Sequence, residues 1–187
     1  MVRLAIGAVL LLVLLVQGTD VFTGVFAQEL SESESNQITF PALVGTPDLE
    51  VVLPMHLAFS EPVKIGQLRM ELRFPSPQLS FVEVQLVYQA EKVGAQVSVQ
   101  ELESGSIRVE IAVPEDGEDA LPQEGMASVV FRVSADVEPL PLTIVVENIE
   151  IQDLSGRPIE VLQKTEALIH IVSPELYPLI SCFFYMH

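Results

Sequence analysis

Between Ile65 and Phe74 the chain places Leu68, Met70, Leu72 and Phe74 in one phase and Gln67, Arg69, Glu71 and Arg73 in the other. Successive side chains of an extended backbone point to opposite sides, so this spelling makes a strand dry on one face and wet on the other. A helix would scatter the same four apolar groups around its circumference. The period of two then recurs along the chain. Leu49, Val51 and Leu53 alternate, and after Pro54 so do Met55, Leu57 and Phe59. Val82, Val84, Leu86 and Tyr88 follow, then Val97 and Val99, then Ile107, Val109, Ile111 and Val113. Val129, Phe131 and Val133 come next, followed by Leu142, Ile144 and Val146, by Ile149 and Ile151, by Ile159 and Val161, and by Ala167, Ile169 and Ile171. The pattern predicts about nine or ten strands. Between Ile38 and Val172 no helical period is sustained, and residues 90–96 have room for a single turn.

Breakers fall between these runs at the spacing of sandwiches and barrels. Pro75-Ser76-Pro77 ends one strand, because proline has no N–H for a ladder and forces the preceding residue into an extended conformation. Glu103-Ser104-Gly105-Ser106 and Asp153-Leu154-Ser155-Gly156 read as hairpin turns, and Glu138-Pro139-Leu140-Pro141 as a stiff connection. One antiparallel sheet with this pattern would leave its apolar face in water. The fold class predicted is therefore all-β, two antiparallel sheets packed face to face in a sandwich.

The 187 residues hold one such domain plus tails. Residues 1–27 carry Arg3, an apolar run from Leu4 to Val16, and a compact stretch ending Val25-Phe26-Ala27. That order is the layout of a secretory signal peptide cut between Ala27 and Gln28. The alternative is an uncleaved anchor, lengthened by Val21 to Ala27, which would be the chain's one tie to a membrane. Residues 28–37, rich in Ser and Glu, read as a flexible linker, residues 38–172 as the folded domain, and residues 173–187 as a tail without a clear element. The single cysteine, Cys182, has no partner for an internal disulfide, so core packing alone must hold an exported domain together.

A formal charge of −17 with nine Lys and Arg repels phosphate backbones, which excludes nucleic acid as a partner. Chemistry for bond-breaking is sparse. Of the three histidines, His56 and His170 fall in the polar phase of strands and His187 is the last residue, with no metal-binding spacing among them. Nucleophile elbows, phosphate loops and dinucleotide glycine patterns do not occur, so the chain reads as non-catalytic. The acidic loop at Glu115, Asp116, Glu118 and Asp119 offers hard oxygen ligands for a structural Ca²⁺, although its spacing is not that of a twelve-residue calcium loop. Its ordinary reading is a solvated loop held open by repulsion, and no cofactor is expected. Sugars stack on flat aromatic faces, yet the chain has no Trp and Tyr88 is the one tyrosine inside the domain.

The order of these pieces resembles bacterial cohesin domains. The resemblance rests on Pro54, on IGQLRMELRFPSPQLSFVEV at 65–84, on SGSIRVEIAV at 104–113 and on GMASVVFRVSAD at 125–136. VENIEIQDLSGRPIEV at 146–161 resembles the penultimate hairpin of that family, and TEALIHIV at 165–172 its closing strand. It implies a nine-stranded jelly-roll sandwich, a secreted or cell-envelope location, and docking of a dockerin-bearing protein in a polysaccharide-degrading context. Carbohydrate-binding modules share this fold, so direct polysaccharide binding is the alternative, and a structural envelope domain without a separable ligand is another. Many relatives carry an acidic turn where this chain has Phe74-Pro75-Ser76-Pro77, so the fold and the class of function carry over but the contacts do not. The face carrying Gln67, Arg69, Glu71 and Arg73 is the candidate partner surface, since it mixes both signs of charge and arginine is favoured at interfaces.

Overall fold

A computed structural model describes residues 36–114, 119–123 and 125–175. Among the described residues there are eleven strands and one short helix. In chain order the strands are β1 Gln37–Thr39, β2 Leu43–Gly45, β3 Glu50–Ala58, β4 Ile65–Arg73 and β5 Leu79–Leu86. After the helix α1 (Tyr88–Lys92) come β6 Gln96–Glu103, β7 Ser106–Ala112, β8 Ala127–Val133, β9 Pro141–Asp153, β10 Pro158–Ile159 and β11 Lys164–Ile171. One sheet has the order β1-β3-β8-β5 and the other β2-β11-β9-β4-β7-β6, with β10 hung on β9. All pairings are antiparallel except β2 with β11. The expected two-sheet sandwich is present. Among the described residues no helix is long and apolar enough to cross a membrane.

The alternating apolar positions meet between the sheets. Leu53 and Met55 of β3, Val129 and Phe131 of β8, Leu68, Met70 and Leu72 of β4, Val109 and Ile111 of β7, and Ile144 and Val146 of β9 are all buried in one cluster. Phe131 is the hub of the aromatic contacts, edge-on to Phe74 at 5.1 Å and to Phe81 at 6.4 Å. The large buried area of an aromatic ring in such a layer makes this the costliest place to open a hole.

Several local expectations shift. The strand through Pro54 is not interrupted: Pro54 sits inside β3 opposite Ser128. β1 pairs only with His56, Leu57 and Ala58, so at Pro54 one side of β3 serves no neighbour and the missing N–H costs no ladder bond. Leu49 precedes β3 and is exposed, out of the core assigned to its phase. In β5 the register slips between Phe81 and Glu83, which turns Val82 outward and leaves Phe81, Val84 and Leu86 against the core. One extra residue in a strand exchanges its faces, which period-two counting misses. Tyr88, counted in that strand, lies on α1 and is 73% exposed.

The chain is already ordered at Asn36, two residues into the end of the stretch read as a linker. The Asn36 side chain accepts from the Ser60 N–H at 3.2 Å and donates to the Glu160 carbonyl at 2.9 Å, while Gln37 pairs with Ala58. The proposed signal peptide, its cut between Ala27 and Gln28, and the tail beyond Glu175 lie outside the described residues.

Both expected hairpin turns are formed. Gly105 has φ 78°, and a Cβ there would stand 2.6 Å from the Phe74 carbonyl oxygen, while Phe74 N–H donates to the Gly105 carbonyl at 2.8 Å. Only glycine fits that approach. In the second turn the Asp153 carboxylate accepts from the N–H groups of Ser155 at 2.8 Å and Arg157 at 3.0 Å.

Candidate functional site

Gln67, Arg69, Glu71 and Arg73 form one outward row on β4, as the alternation requires. β4 lies between β7 and β9, so this row has a polar row on each side. Across the first border Arg69 stands opposite Glu110 and Glu71 opposite Arg108. Across the second, Arg69 stands opposite Glu150 and Arg73 near Glu147. Opposite charges in facing positions attract, as at Arg69 with Glu110, Glu71 with Arg108 and Arg69 with Glu150, whereas Glu71 also faces Glu147, a like-charge pair offset by Arg108 on the one and Arg73 on the other.

The result is a lattice of ion pairs. Arg69 bridges the flanking strands, donating to Glu110 at 3.2 Å and to Glu150 at 3.1 Å. Arg108 donates to Glu71 at 2.6 Å, and Arg73 pairs with Glu147 at 2.8 Å. Gln67 Nε2 donates to Glu110 Oε1 at 2.6 Å. Asn148 has φ 51° at an irregular step where β9 passes Glu71, and its amide donates to Glu71 Oε2 at 2.7 Å. Glu71 is the most enclosed acid of the lattice, its side chain 13% exposed. The Arg108 hydrogen bonds, aided by the Asn148 amide, hold its carboxyl below the ordinary glutamate range, although partial burial opposes them. Each exposed pair contributes about 0.2–1 kcal/mol, so the lattice adds little to stability. Its effect is to hold seven charged side chains and two amides in fixed places before anything binds.

The polar phase of β7 and β9 was legible in the sequence, but which acid faces which arginine was not. Glu110, Glu147, Asn148 and Glu150 enter the site only through the pairing of strands far apart in the chain. At the Ile65 end of the face lies a cleft of about 360 Å³, lined by Gln67, Glu110, Pro114, Gln152 and Asp153 among others. Two of its carboxylates are already engaged: Glu110 as above, and Asp153 by Ser155 and Arg157. The Arg157 backbone N–H, together with its guanidinium and the Ser155 N–H, lowers the Asp153 carboxyl below the ordinary aspartate range.

The other sequence candidates are not brought to this face. Of the acidic loop, Glu115, Asp116 and Glu118 lie outside the described residues, and Asp119 is exposed. No group of three His, Cys, Asp or Glu placed to hold a metal exists among the described residues. His56 on β3 and His170 on β11 are both exposed and sit on different sheets.

No family model matches this chain, and no curated protein matches it in sequence. Solved structures match it over most of its length. A non-cellulosomal cohesin from the archaeon Archaeoglobus fulgidus is 20% identical, covers 82% of this chain and 99% of its own, and superposes with a TM-score of 0.62. A type I cohesin of Clostridium thermocellum, solved with a dockerin, is 19% identical over 74% of this chain and 99% of its own, with a TM-score of 0.62. The sixth cohesin of scaffoldin B from Acetivibrio cellulolyticus, in complex with a Cel5 dockerin, is 12% identical over 74% of this chain and 98% of its own, also with a TM-score of 0.62. Together with the sheet orders described above, these matches identify the fold of this domain as the cohesin fold.

Proposed function

We propose that the domain is a secreted, non-catalytic docking module whose outer β9-β4-β7-β6 face receives a dockerin-bearing protein. The observation that carries this reading is the lattice centred on Arg69. It is a broad, preset surface of both charge signs on a chain whose fold is shared with cohesins solved on dockerins. A surface whose side chains are already ordered loses less entropy on association than a mobile one. Extracellular location and a polysaccharide-degrading context belong to this proposal and rest on the leader-like N-terminus and on the fold. Direct polysaccharide binding is the weaker reading, because Tyr88 is the one described tyrosine and the ring pairs among the described residues are those of Phe131 with Phe74 and Phe81.

The test is capture of recombinant dockerin modules by the mature chain, read by calorimetry, with Arg69→Glu/Arg73→Glu as the face variant. Binding by the wild type and its loss in a variant that still folds supports the reading. Capture unaffected by the variant removes this face, and retention on insoluble polysaccharide without any dockerin favours the alternative.

A further inference from the structure

We propose that the cleft at the Ile65 end of the face is a specificity-determining subsite in which the carboxamides of Gln67 and Gln152 read a main-chain peptide group of the docked partner. This rests on the docking reading above and states what that surface recognises.

The lattice itself has few directional bonds left to give. Arg69 is shared by Glu110 and Glu150, Glu71 is held by Arg108 and Asn148, and Arg73 is taken by Glu147. A partner laid over these pairs gains shape complementarity and a screened field, whereas a new hydrogen bond to any of them would have to break an existing one.

The cleft differs. Gln67 and Gln152 are facing partners across β4 and β9 and both line it. Gln67 commits one amide N–H to Glu110, and none of the side-chain hydrogen bonds among the described residues involves its Oε1 or the Gln152 carboxamide. Two adjacent carboxamides present acceptors and donors side by side, the complement of one peptide N–H and C=O. A cationic side chain fits worse, because the Glu110 and Asp153 oxygens already accept from Arg69 and Arg157.

The walls are fixed by backbone. Leu154 N–H donates to the Lys64 carbonyl at 3.1 Å and Val113 N–H to the Gly66 carbonyl at 3.0 Å. Gly66 lets the hairpin close down, since a Cβ there would stand 2.9 Å from the Asp153 carbonyl oxygen. Sugar hydroxyls offer the same donor and acceptor chemistry, but among the described residues no aromatic side chain lines this cleft to carry a ring.

The experiment titrates the mature chain with a panel of recombinant dockerin modules, and separately with cellohexaose and xylohexaose. Gln152→Ala is expected to weaken dockerin binding about tenfold, and Gln67→Ala/Gln152→Ala by a further factor of about three to ten, with unchanged melting. A dockerin that is lost by Arg69→Glu/Arg73→Glu yet indifferent to both glutamine variants overturns the subsite and leaves the docking face standing. A wild-type chain that binds no dockerin overturns both. Gln152-dependent binding of either hexasaccharide overturns the peptide assignment in favour of a sugar.

Discussion

The two outer surfaces of the sandwich come from the same alternating spelling and carry different chemistry. On the seven-stranded sheet three adjacent rows interlock Arg69, Arg73 and Arg108 with Glu71, Glu110, Glu147 and Glu150. On the four-stranded sheet the described outer positions hold one such pair, Arg132 with Glu50 at 2.7 Å. Beside it Val52, 48% exposed, faces the buried Val130, and His56 and Ser128 complete the middle. An apolar strip flanked by scattered polar groups offers no fixed charge pattern to a partner. The difference teaches that a polar phase is not itself a site. It becomes a candidate when neighbouring strands bring opposite charges into contact.

The largest effect should fall on the stability of the whole sandwich and leave both faces alike. Phe131 packs on Phe74, which directly follows β4, and on Phe81 of β5, so it ties the two sheets. Phe131→Ala is expected to cost about 3–5 kcal/mol in urea unfolding, and at temperatures where the variant is still folded, capture should be normal. A folded variant with lost capture would mean the core sets the proposed docking face directly.

The comparison itself is broken or kept by charge reversal. Arg69→Glu/Arg73→Glu should reduce dockerin binding at least about a hundredfold, while Val52→Lys/Arg132→Glu on the opposite surface should change it less than about twofold. Equal losses from both would erase the distinction between the faces.

A smaller effect sharpens the role of Glu71. Its carboxyl is held low in the folded chain by the Arg108 and Asn148 hydrogen bonds. A depressed carboxylate stabilises the fold above the unfolded-state value and loses that contribution as the pH falls through the folded-state value. Glu71→Gln should therefore be slightly less stable than the wild type at neutral pH, by about 1 kcal/mol or less. The gap should close in acid, below the ordinary glutamate range. Melting curves across that range check it, and a gap that widens in acid would contradict the assigned cause.

The smallest effect concerns the loop containing Glu115, Asp116, Glu118 and Asp119. Millimolar Ca²⁺ against chelator should move the melting temperature by less than about 1 °C if the loop is simply solvated, whereas a rise of several degrees would place a structural ion there.

Much of this architecture was legible beforehand because side-chain direction in a strand depends only on parity. Gln67 to Arg73 fell on the wet side and Leu68 to Leu72 on the dry side without any tertiary information. Both hairpins followed from Gly105 and Gly156. What escaped were effects of a strand's surroundings. These were the slip at Val82, the continuity of β3 through Pro54, and β6, whose Val99 faces the core side yet is 38% exposed at the sheet's edge. Each depends on what lies alongside a strand, which its own residues do not state.

The sequence alone determined that the chain would be extended, two-faced and acidic, because local periodicity and composition are properties of neighbours along the backbone. Tertiary structure decided that Arg69 meets Glu110 and Glu150, and that Gln67 meets Gln152. Strand register joins residues that lie far apart in the chain, and only the closing of the core over the Val, Ile, Leu and Phe sides sets that register.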